Sequence, residues 1–402
     1  MHILELLHKT FEEKLPTVHK VRLKSLMTVC KAAIHESKLT LTGLGRAILN
    51  TNKECSNIQK VDRLLGNGHL QSERELFYKE MLSQIIKDMK HPYIHVDWTC
   101  INAVTNLYVL RASVSMKGRS IVVYEESHPK KNENKQSIHK AFLNQLKRLL
   151  PPSVVPIIVT DAGFRAPWFA YLIELGWDFV GRVRNKNLVL LEKSSGWRLS
   201  ASYYEQATGI PTFLGQGLLT EENEVPVHFV LYKEKNKGRH KLNKNKKNCR
   251  TGKSKKHAKA NIEPWLLVTS LAHSQDTPVV ITNIYRQRMR IEEHIRDTKC
   301  PFYGIGFKKS LTKTAQRMNI LLLIAAVVTF AAWLAGLFSK FIGTATDFQV
   351  HSAKFTSALS TVFLGRRVLK KGLTLYQHGF ELALTLLFQL AIQTQQEAYH
   401  FG

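Results

Sequence analysis

Acidic side chains are scarce in this sequence of 402 residues. It contains 31 Asp and Glu against 58 Lys and Arg, which leaves a formal net charge of +27. Solubility requires far less charge than that, so we expect the partner to be a polyanion. Nucleic acid and an anionic membrane surface would both suit such a charge.

Paired cysteines are lacking as well. The five cysteines are far apart, odd in number, and never form a CxxC pair. This pattern argues against a disulfide framework or a zinc ribbon and is typical of a reducing cytoplasm. The sequence also has no GxGxxG or GKS/T phosphate loop. Its first residues, MHILELLHKTFEEKL, lack the basic start and apolar run of a signal peptide.

Only one long apolar run is present, ILLLIAAVVTFAAWLAGLF at residues 320–338. By length it could just span a bilayer. We favour a helix buried inside a soluble domain, because the sequence has no second span and basic residues flank the run on both sides. The expectation is therefore a cytoplasmic protein without a membrane partner.

Residues 1–88 predict short helices with no convincing strand. Two of these helices, joined by a polar turn, could form a helix-turn-helix, with Ser56 or Asn57 as the N-cap of the second. Lys53, Lys60 and Arg63 would give it a basic face. A plain helical bundle with a basic face remains the alternative.

The period of the apolar residues changes from about residue 90. Two of the predicted strands, 107–116 and 119–127, are joined by a Lys117-Gly118 turn, which is a hairpin signal. The complete predicted order is strands 93–98, 107–116 and 119–127, helix 137–150, strand 154–161, helix 164–177 and strand 178–184. This order predicts an α/β fold of the ribonuclease-H-like, retroviral integrase type.

The predicted domains follow from this change of pattern. Residues 1–88 would form a helical DNA-binding domain, 89–310 the catalytic domain, and 311–402 a helical C-terminal region. A β-rich insertion at about 188–264 would interrupt the catalytic domain. It includes a run at 233–259 with 13 Lys or Arg against Glu234 alone, which we interpret as a mobile loop that also contacts phosphates.

Two aspartates end apolar predicted strands, Asp97 in HVDW and Asp161 in IVTDAGF. A carboxylate at such a position is costly unless it is paired, hydrogen-bonded or bound to a metal. The first and fourth strands of a ribonuclease-H-like sheet are neighbours, so we expect the two aspartates side by side. A divalent cation would relieve their repulsion.

A third carboxylate is predicted from YRQRMRIEEHIRDTK, residues 285–299. If this stretch is one helix of 100° per residue, Glu292 shares a face with four other side chains, whereas Glu293 does not. Asp97, Asp161 and Glu292 could then hold two Mg²⁺ ions, or Mn²⁺, for phosphodiester displacement. The side chains expected to hold the phosphates beside Glu292 are Tyr285, Arg288, Arg296 and Lys299. The alternative is an exposed helix with i,i+4 ion pairs.

The spacing Y-x2-R-x3-E-x6-K, formed by Tyr285, Arg288, Glu292 and Lys299, resembles the signature of bacterial insertion-sequence DDE transposases of the cut-and-paste kind. Together with HVDW, IVTDAGF and EPWLLVTSL, it closely resembles the transposon ten enzyme and more distantly that of transposon five. The resemblance implies DNA binding at terminal inverted repeats, a homodimeric synaptic complex, cleavage through a DNA hairpin, and joining of 3′ ends to target DNA.

The resemblance also implies a role for Trp265, in the strand before the signature helix. Its position matches a tryptophan that stacks near a flipped terminal base, and stacking is what a flipped base needs. A core tryptophan is the alternative. Two other functions stay open, a two-metal nuclease without strand transfer and a non-enzymatic DNA-binding repressor derived from a transposase. A transposase of this kind would act on the bacterial nucleoid in the cytoplasm.

Overall fold

The structure, a computed structural model, describes residues 2–36, 38–102, 104–184, 187–235, 252, 263–350, 359–372, 374 and 376–400. Nearly all of the predicted lysine-rich loop at 233–259 lies outside these residues. The chain forms two compact units. Unit 1 contains Met1–Val154 and Met289–Gln395, and unit 2 contains Val155–Arg288 and Gln396–Gly402.

Three antiparallel strands form the sheet of unit 1. They are β1 (Tyr93–Asn102), β2 (Leu107–Met116) and β3 (Arg119–Pro129). The central strand β2 pairs with both neighbours, so Arg111 lies opposite Asp97 on one side and Glu125 on the other. Gly118 adopts a positive φ of 79° in the tight turn between β2 and β3. The predicted three-strand meander with its Lys117-Gly118 hairpin is therefore confirmed.

The described part of unit 1 also contains ten α-helices, the last of which continues into unit 2 from Gln396. Five precede the sheet, one follows β3, and four lie in the C-terminal part of the chain. The bounds are α1 Ile3–Lys14, α2 Lys20–His35, α3 Leu41–Arg46, α4 Glu54–Leu65, α5 Gly68–Ile86, α6 Gln136–Leu149, then Met289–Lys299, Ala315–Phe341, Thr361–Lys370 and Gln377–His400. We call Met289–Lys299 the Glu292 helix and Ala315–Phe341 the apolar helix.

The two short helices α3 and α4 are present where a helix-turn-helix is predicted, but the predicted N-cap is wrong. Helix α4 begins at Glu54 after Lys53, without a side-chain cap. Asn57 lies inside the helix, is 4% exposed, and exchanges two hydrogen bonds with Asn50 at 2.9 and 3.0 Å. The two hydrogen bonds with Asn50 satisfy the side-chain amide of Asn57 inside the helix better than an N-cap position would. Helix α4 therefore starts about one turn before the predicted N-cap.

One helix of the described residues is long and apolar enough to cross a membrane by length and composition, and it is the apolar helix. In its most apolar 18-residue window, 89% is buried inside the protein. Close backbone contacts account for part of this burial, because a Cβ on Gly336 would meet the Thr361 carbonyl oxygen at 2.0 Å. A helix that is apolar on every side is therefore the core helix of unit 1, as predicted.

Unit 2 contains the remaining strands. The central pair, β4 (Ile157–Thr160) and β5 (Asp178–Val183), is parallel and is connected through helix α7 (Ala166–Glu174). Glycine at position 181 is required by close packing, since a Cβ there would lie 2.3 Å from the Phe169 ring. The other strands pair antiparallel in the order β5-β10-β9-β8-β6-β7. They are β6 Leu188–Leu191, β7 Arg198–Leu199, β8 Thr212–Leu219, β9 Val225–Tyr232 and β10 Trp265–Thr269.

The chain is thus a mixed α/β protein with a parallel strand added after a helix, as a ribonuclease-H-like core requires. The region predicted as a β-rich insertion contains strands β6 to β9. The domain limits at residues 88 and 310, and the roles assigned to the flanking helical regions, stay predictions.

Candidate active site

Asp97 lies in the middle of β1 and does not end the strand as predicted, because β1 continues to Asn102. His95 and Val96 before it are fully buried, whereas the side chains of Asp97 and Trp98 are half-buried, so the strand becomes more open at Asp97. Thr99 is two residues further on and therefore points to the same side as Asp97. A carboxylate and a hydroxyl therefore lie on one face of β1.

The Glu292 helix places its own carboxylate near this face. Ile291 and Ile295 are buried and fix the orientation of the helix in unit 1. Glu292 lies in the first turn, where a negative charge is favourable to the helix dipole. Positions 292, 296 and 299 share one face because they are four and three residues apart.

That face lines a cavity of about 310 Å³ within unit 1. The cavity contains both carboxylates predicted for this unit, together with three cationic side chains. Its lining residues are Asp97, Thr99, Glu292, Ile295, Arg296, Lys299 and Lys308. A phosphate entering the cavity would meet cations next to a carboxylate pair, which is the arrangement needed to bind a phosphodiester around a reacting centre.

Lys299 connects the helix to β1. Its Nζ donates a hydrogen bond of 2.7 Å to Thr99 Oγ1. Burial, and then the positive charges of Arg111 and Lys308, lower the pKa of Lys299, while the Asp97 carboxylate raises it. A bound phosphate would act in the same direction as Asp97 and favour the charged form of Lys299.

Glu293 occupies a different environment from Glu292. Its Oε2 accepts from Arg296 and lies 4.0 Å from Arg119 Nη1. Arg119, the first residue of β3, also donates from Nε to Asp297 Oδ2 at 2.6 Å. Glu293 and Asp297 therefore attach the helix to the β2–β3 turn, and Glu292 is the carboxylate that lines the cavity.

The single helix predicted over 285–299 is wrong. One helix, Thr277–Arg286, ends before Gln287, and the Glu292 helix begins at Met289. Between them, the amide of Arg288 donates to the Tyr285 carbonyl oxygen at 3.0 Å, an i to i−3 bond that tightens the chain. The angular positions predicted relative to Tyr285 therefore do not apply to the Glu292 helix. The predicted shared face of Glu292, Arg296 and Lys299 does apply, because all three lie within that helix.

The remaining predicted residues lie in unit 2. Asp161 directly follows β4, and its Oδ1 accepts a hydrogen bond of 2.8 Å from the Gly163 amide. This Asx turn fixes the carboxylate at the carboxyl end of the strand. Asp161 is half-buried, and its position in unit 2 is consistent with either a ligand or a turn residue.

Trp265, Tyr285 and Arg288 come together in unit 2. The rings of Trp265 and Tyr285 meet edge to face with centroids 5.0 Å apart, and the Arg288 guanidinium lies 5.7 Å from the Tyr285 centroid. The Tyr232 ring also contacts Trp265, with ring centroids 5.5 Å apart. Tyr285 is only 4% exposed, so it supports Trp265 and Arg288 and has little surface left for DNA.

Three residues of the site were missed in the sequence. Thr99 could have been found, because a residue two positions after Asp97 on a strand shares its face. Nothing in the sequence marks Lys308, which follows the Glu292 helix by nine residues, or Arg119, which contacts Asp297 across 178 positions.

The donor set determines which metal the cavity could hold. Among the described residues, no group of three or more His, Cys, Asp or Glu side chains is close enough for a metal site. The cavity itself offers two carboxylates. Hard oxygen donors of this kind suit Mg²⁺, which keeps several waters and is usually bound through one or two carboxylates plus substrate phosphates. The residues of unit 1 therefore fit part of a magnesium site.

A buried histidine near β1 makes stability depend on pH. His139 Nε2 accepts a hydrogen bond of 2.9 Å from Trp98 Nε1. Burial, helped by the nearby His128, lowers the pKa of His139 from 6.5 to about 4. Between these values the unfolded chain takes up a proton that the folded protein does not, so stability present at pH 7 is lost as the pH falls. We expect His139 to remove about 2 kcal/mol of unfolding free energy between pH 7 and 5, measured by urea denaturation.

The matched variant is His139→Gln, whose amide can still accept from Trp98 but does not titrate. Its unfolding free energy should fall by about 2 kcal/mol less than that of the wild type over the same pH interval. An identical pH dependence in both proteins would contradict the assignment of this loss to His139.

Comparison with known proteins gives a family match over more than half of the chain. Residues 89–329 match the family described as "Transposase DDE domain". A search of curated protein sequences finds no match. Among solved structures, the cryo-EM structure of the piggyBac transposase synaptic complex with hairpin DNA is similar, with 10% identity, 92% of this chain and 76% of that chain covered, and a TM-score of 0.42. That likeness is too distant to support an argument.

The family match includes Asp97, Asp161 and Glu292, and it extends over more than half of the 402 residues. Proteins of this family generally use divalent metal ions, which agrees with the carboxylate pair in the cavity. The family implies an enzyme of DNA cleavage and transposition. The chain therefore belongs to the DDE transposases.

Proposed function

We propose that this protein is a cut-and-paste DNA transposase. It binds the terminal inverted repeats of its element, cleaves both ends through a hairpin intermediate and joins the 3′ ends to target DNA. The observation that supports this most directly is the cavity in which Asp97 and Glu292 lie beside Arg296 and Lys299. The net charge of +27 agrees with two double-stranded DNA partners, the element end and the target.

Asp97 and Glu292 would hold Mg²⁺, with Mn²⁺ expected to substitute, and Asp161 is proposed as a further ligand from the resemblance alone. Two bound ions would supply Lewis-acid activation of water or a 3′-hydroxyl. Arg296 and Lys299 bind the phosphates next to the scissile bond, with the Lys299 ammonium oriented by Thr99. Arg288, held against the Tyr285 ring, is proposed as a further phosphate contact.

The finer assignment rests on the Y-x2-R-x3-E-x6-K spacing, which resembles that of the transposon ten and transposon five enzymes. From this resemblance we propose three further properties. The protein acts as a homodimer in the synaptic complex, it works on the bacterial nucleoid in the cytoplasm, and its N-terminal helices bind the terminal repeats. The exposed Lys53 and Arg63 near helix α4 offer phosphate contacts for that last role.

The test is to incubate the protein with its element's terminal repeat, labelled at the 3′ end, with and without Mg²⁺. A denaturing gel then separates nicked, hairpin and joined products. Metal-dependent hairpin and joined species support transposition. Cleavage without joining would favour a two-metal nuclease, and tight binding without any cleavage would favour a repressor, so either result overturns the proposal.

Trp265 provides a prediction about one step of the reaction. We propose that it stacks on a flipped terminal base, because it is only half-buried and its ring is held by contacts with Tyr232 and Tyr285. Trp265→Ala should slow hairpin formation by about 5- to 100-fold while the first nick changes less, since loss of one base stack costs about 1–3 kcal/mol. The measurement is a time course of nick and hairpin on the same gel. Equal slowing of both steps would argue for a core tryptophan.

A further inference from the structure

Two aromatic side chains are exposed directly after the Glu292 helix. Phe302 is 82% exposed and Tyr303 is 61% exposed, on a turn that we call the aromatic turn, residues 300–304. Large apolar side chains in water are unfavourable, and neither the metal site nor the Tyr285 and Trp265 cluster uses these two. They follow Lys299, which lines the cavity, by three and four residues, and this position in the chain points to a ligand.

The aromatic turn is held rigidly. The Cys300 amide donates to the carbonyl oxygens of Arg296 and Asp297, and the Gly304 amide donates to Cys300 at 3.0 Å. A Cβ on Gly304 would lie 1.7 Å from the Asp297 carbonyl oxygen, so only glycine allows the turn to pack this closely on the helix. Phe302 is thus presented on a fixed backbone and not on a loose loop.

The chain after the turn is anchored as well. Ile305 is 3% exposed, and its carbonyl oxygen accepts from the Leu39 amide at 3.1 Å. Phe307 is completely buried, and Gly306 adopts a positive φ of 67° between the two. An exposed ring between two anchored segments loses little entropy when it binds, which favours a built contact surface.

Cations flank the exposed rings in the sequence. Lys299 immediately precedes the turn and Lys308 follows it, and both line the cavity that contains Glu292. Lys309 is exposed next to Lys308. Flat apolar rings among lysines match the face of a nucleic-acid base together with its phosphates.

We propose that Phe302, assisted by Tyr303, forms a stacking site for an unpaired base of the DNA strand held at the Asp97–Glu292 cavity. Tyr303 is packed on one side, with its centroid 5.8 Å from that of Phe363, so Phe302 offers the larger open face. The chemical class of the ligand is a nucleobase displaced from the duplex, with the adjoining phosphates on Lys308 and Lys309. This inference rests on the proposed function, because it requires DNA in the cavity.

A second copy of this chain could also cover an apolar patch. The charge decides against it here, because the cations beside the turn would repel the same patch on a protein of net charge +27. DNA is negatively charged, so the cations would attract it, and its bases supply a flat surface on which the rings can stack. A protein partner would instead require compensating acidic groups, and residues 300–313 contain none.

The test measures affinity for two DNA duplexes of the same sequence, one fully paired and one with a single unpaired base at the cleavage point. Full-length Phe302→Ala should bind the unpaired probe about 5- to 100-fold more weakly, while its affinity for the paired probe changes less than threefold. Phe302→Trp should retain affinity. The fluorescence of the added tryptophan, obtained by subtracting the wild-type signal, should be quenched only by the unpaired probe.

The matched control is Tyr376→Ala, which removes an aromatic ring that is 89% exposed but lies outside the turn. It should bind both probes like the wild type. An equal loss on both probes in Phe302→Ala, or no loss on either, would overturn the stacking site, as would a loss of self-association without a change in DNA binding. Wild-type cleavage of the terminal repeat tests the proposed function separately, so the two failures are distinguishable.

Discussion

Glu292→Gln should reduce metal-dependent cleavage of the terminal repeat by more than about a hundredfold. The substitution keeps the shape of the side chain but removes the negative charge that lines the cavity with Asp97. Loss of a residue that only supports a metal ligand already costs about 10- to 100-fold, and loss of a direct ligand should cost more. Asp97→Asn and Asp161→Asn should behave alike. End binding, measured by gel shift, should stay within a few-fold, because the cations remain.

The neighbouring glutamate supplies the control. Glu293→Gln changes the same chemical group one residue away, on a side chain that is paired with Arg296 and approaches Arg119. It should retain cleavage within about tenfold, since these partly exposed pairs contribute little. Loss of cleavage in Glu293→Gln with activity retained in Glu292→Gln would reverse the assignment. Mn²⁺ titration of each variant would separate weakened metal binding from misfolding.

Arg111→Ala should lower the free energy of unfolding by about 3–5 kcal/mol, because it leaves a carboxylate buried without its partner. Arg111 and Glu125 are each 1% exposed, and both Nε and Nη2 of Arg111 lie 2.7 Å from Glu125 Oε2. Burial raises the pKa of Glu125, and Arg111 opposes that rise. Urea denaturation at pH 7 measures the effect.

Two companion variants define the cause. The double variant Arg111→Met/Glu125→Leu, in which neither charge remains, should regain most of the lost stability, because a buried pair is often replaceable by apolar groups. Arg46→Ala breaks an exposed pair with Glu54, at 62% and 70% exposure, and should cost less than about 1 kcal/mol. A double variant as unstable as Arg111→Ala would show that lost packing, and not the unpaired charge, dominates.

The buried pair also bears on the site. Arg111 is opposite Asp97 in the sheet and lowers the pKa of Lys299. Cleavage in the double variant, compared at a temperature where both proteins are folded, would therefore report whether the Arg111 charge contributes to the cavity. Unchanged cleavage would assign Arg111 to stability alone.

Local patterns in the sequence were sufficient for much of this protein. The shared side of Asp97 and Thr99 on β1 and the hairpin at Gly118 depend on neighbours within a few residues, and so does the shared face of Glu292, Arg296 and Lys299. The apolar helix is recognisable from its composition, and its burial in the protein is favoured because the sequence has no second span and basic residues flank the run. Such features are predictable because the periods of strands and helices are properties of the backbone.

Tertiary structure decided the rest. The helix break between Arg286 and Met289, the burial of Asn57 and the pairing of Arg119 with Asp297 each depend on partners that local periods do not reveal. Lys308 lines the cavity because the buried side chains of Ile305 and Phe307 fix the preceding segment of the chain. The sequence by itself determined which carboxylate could face a site. Only packing between distant segments decided which cations and rings surround it, because side-chain contacts across more than one turn or strand pair are set by the whole core.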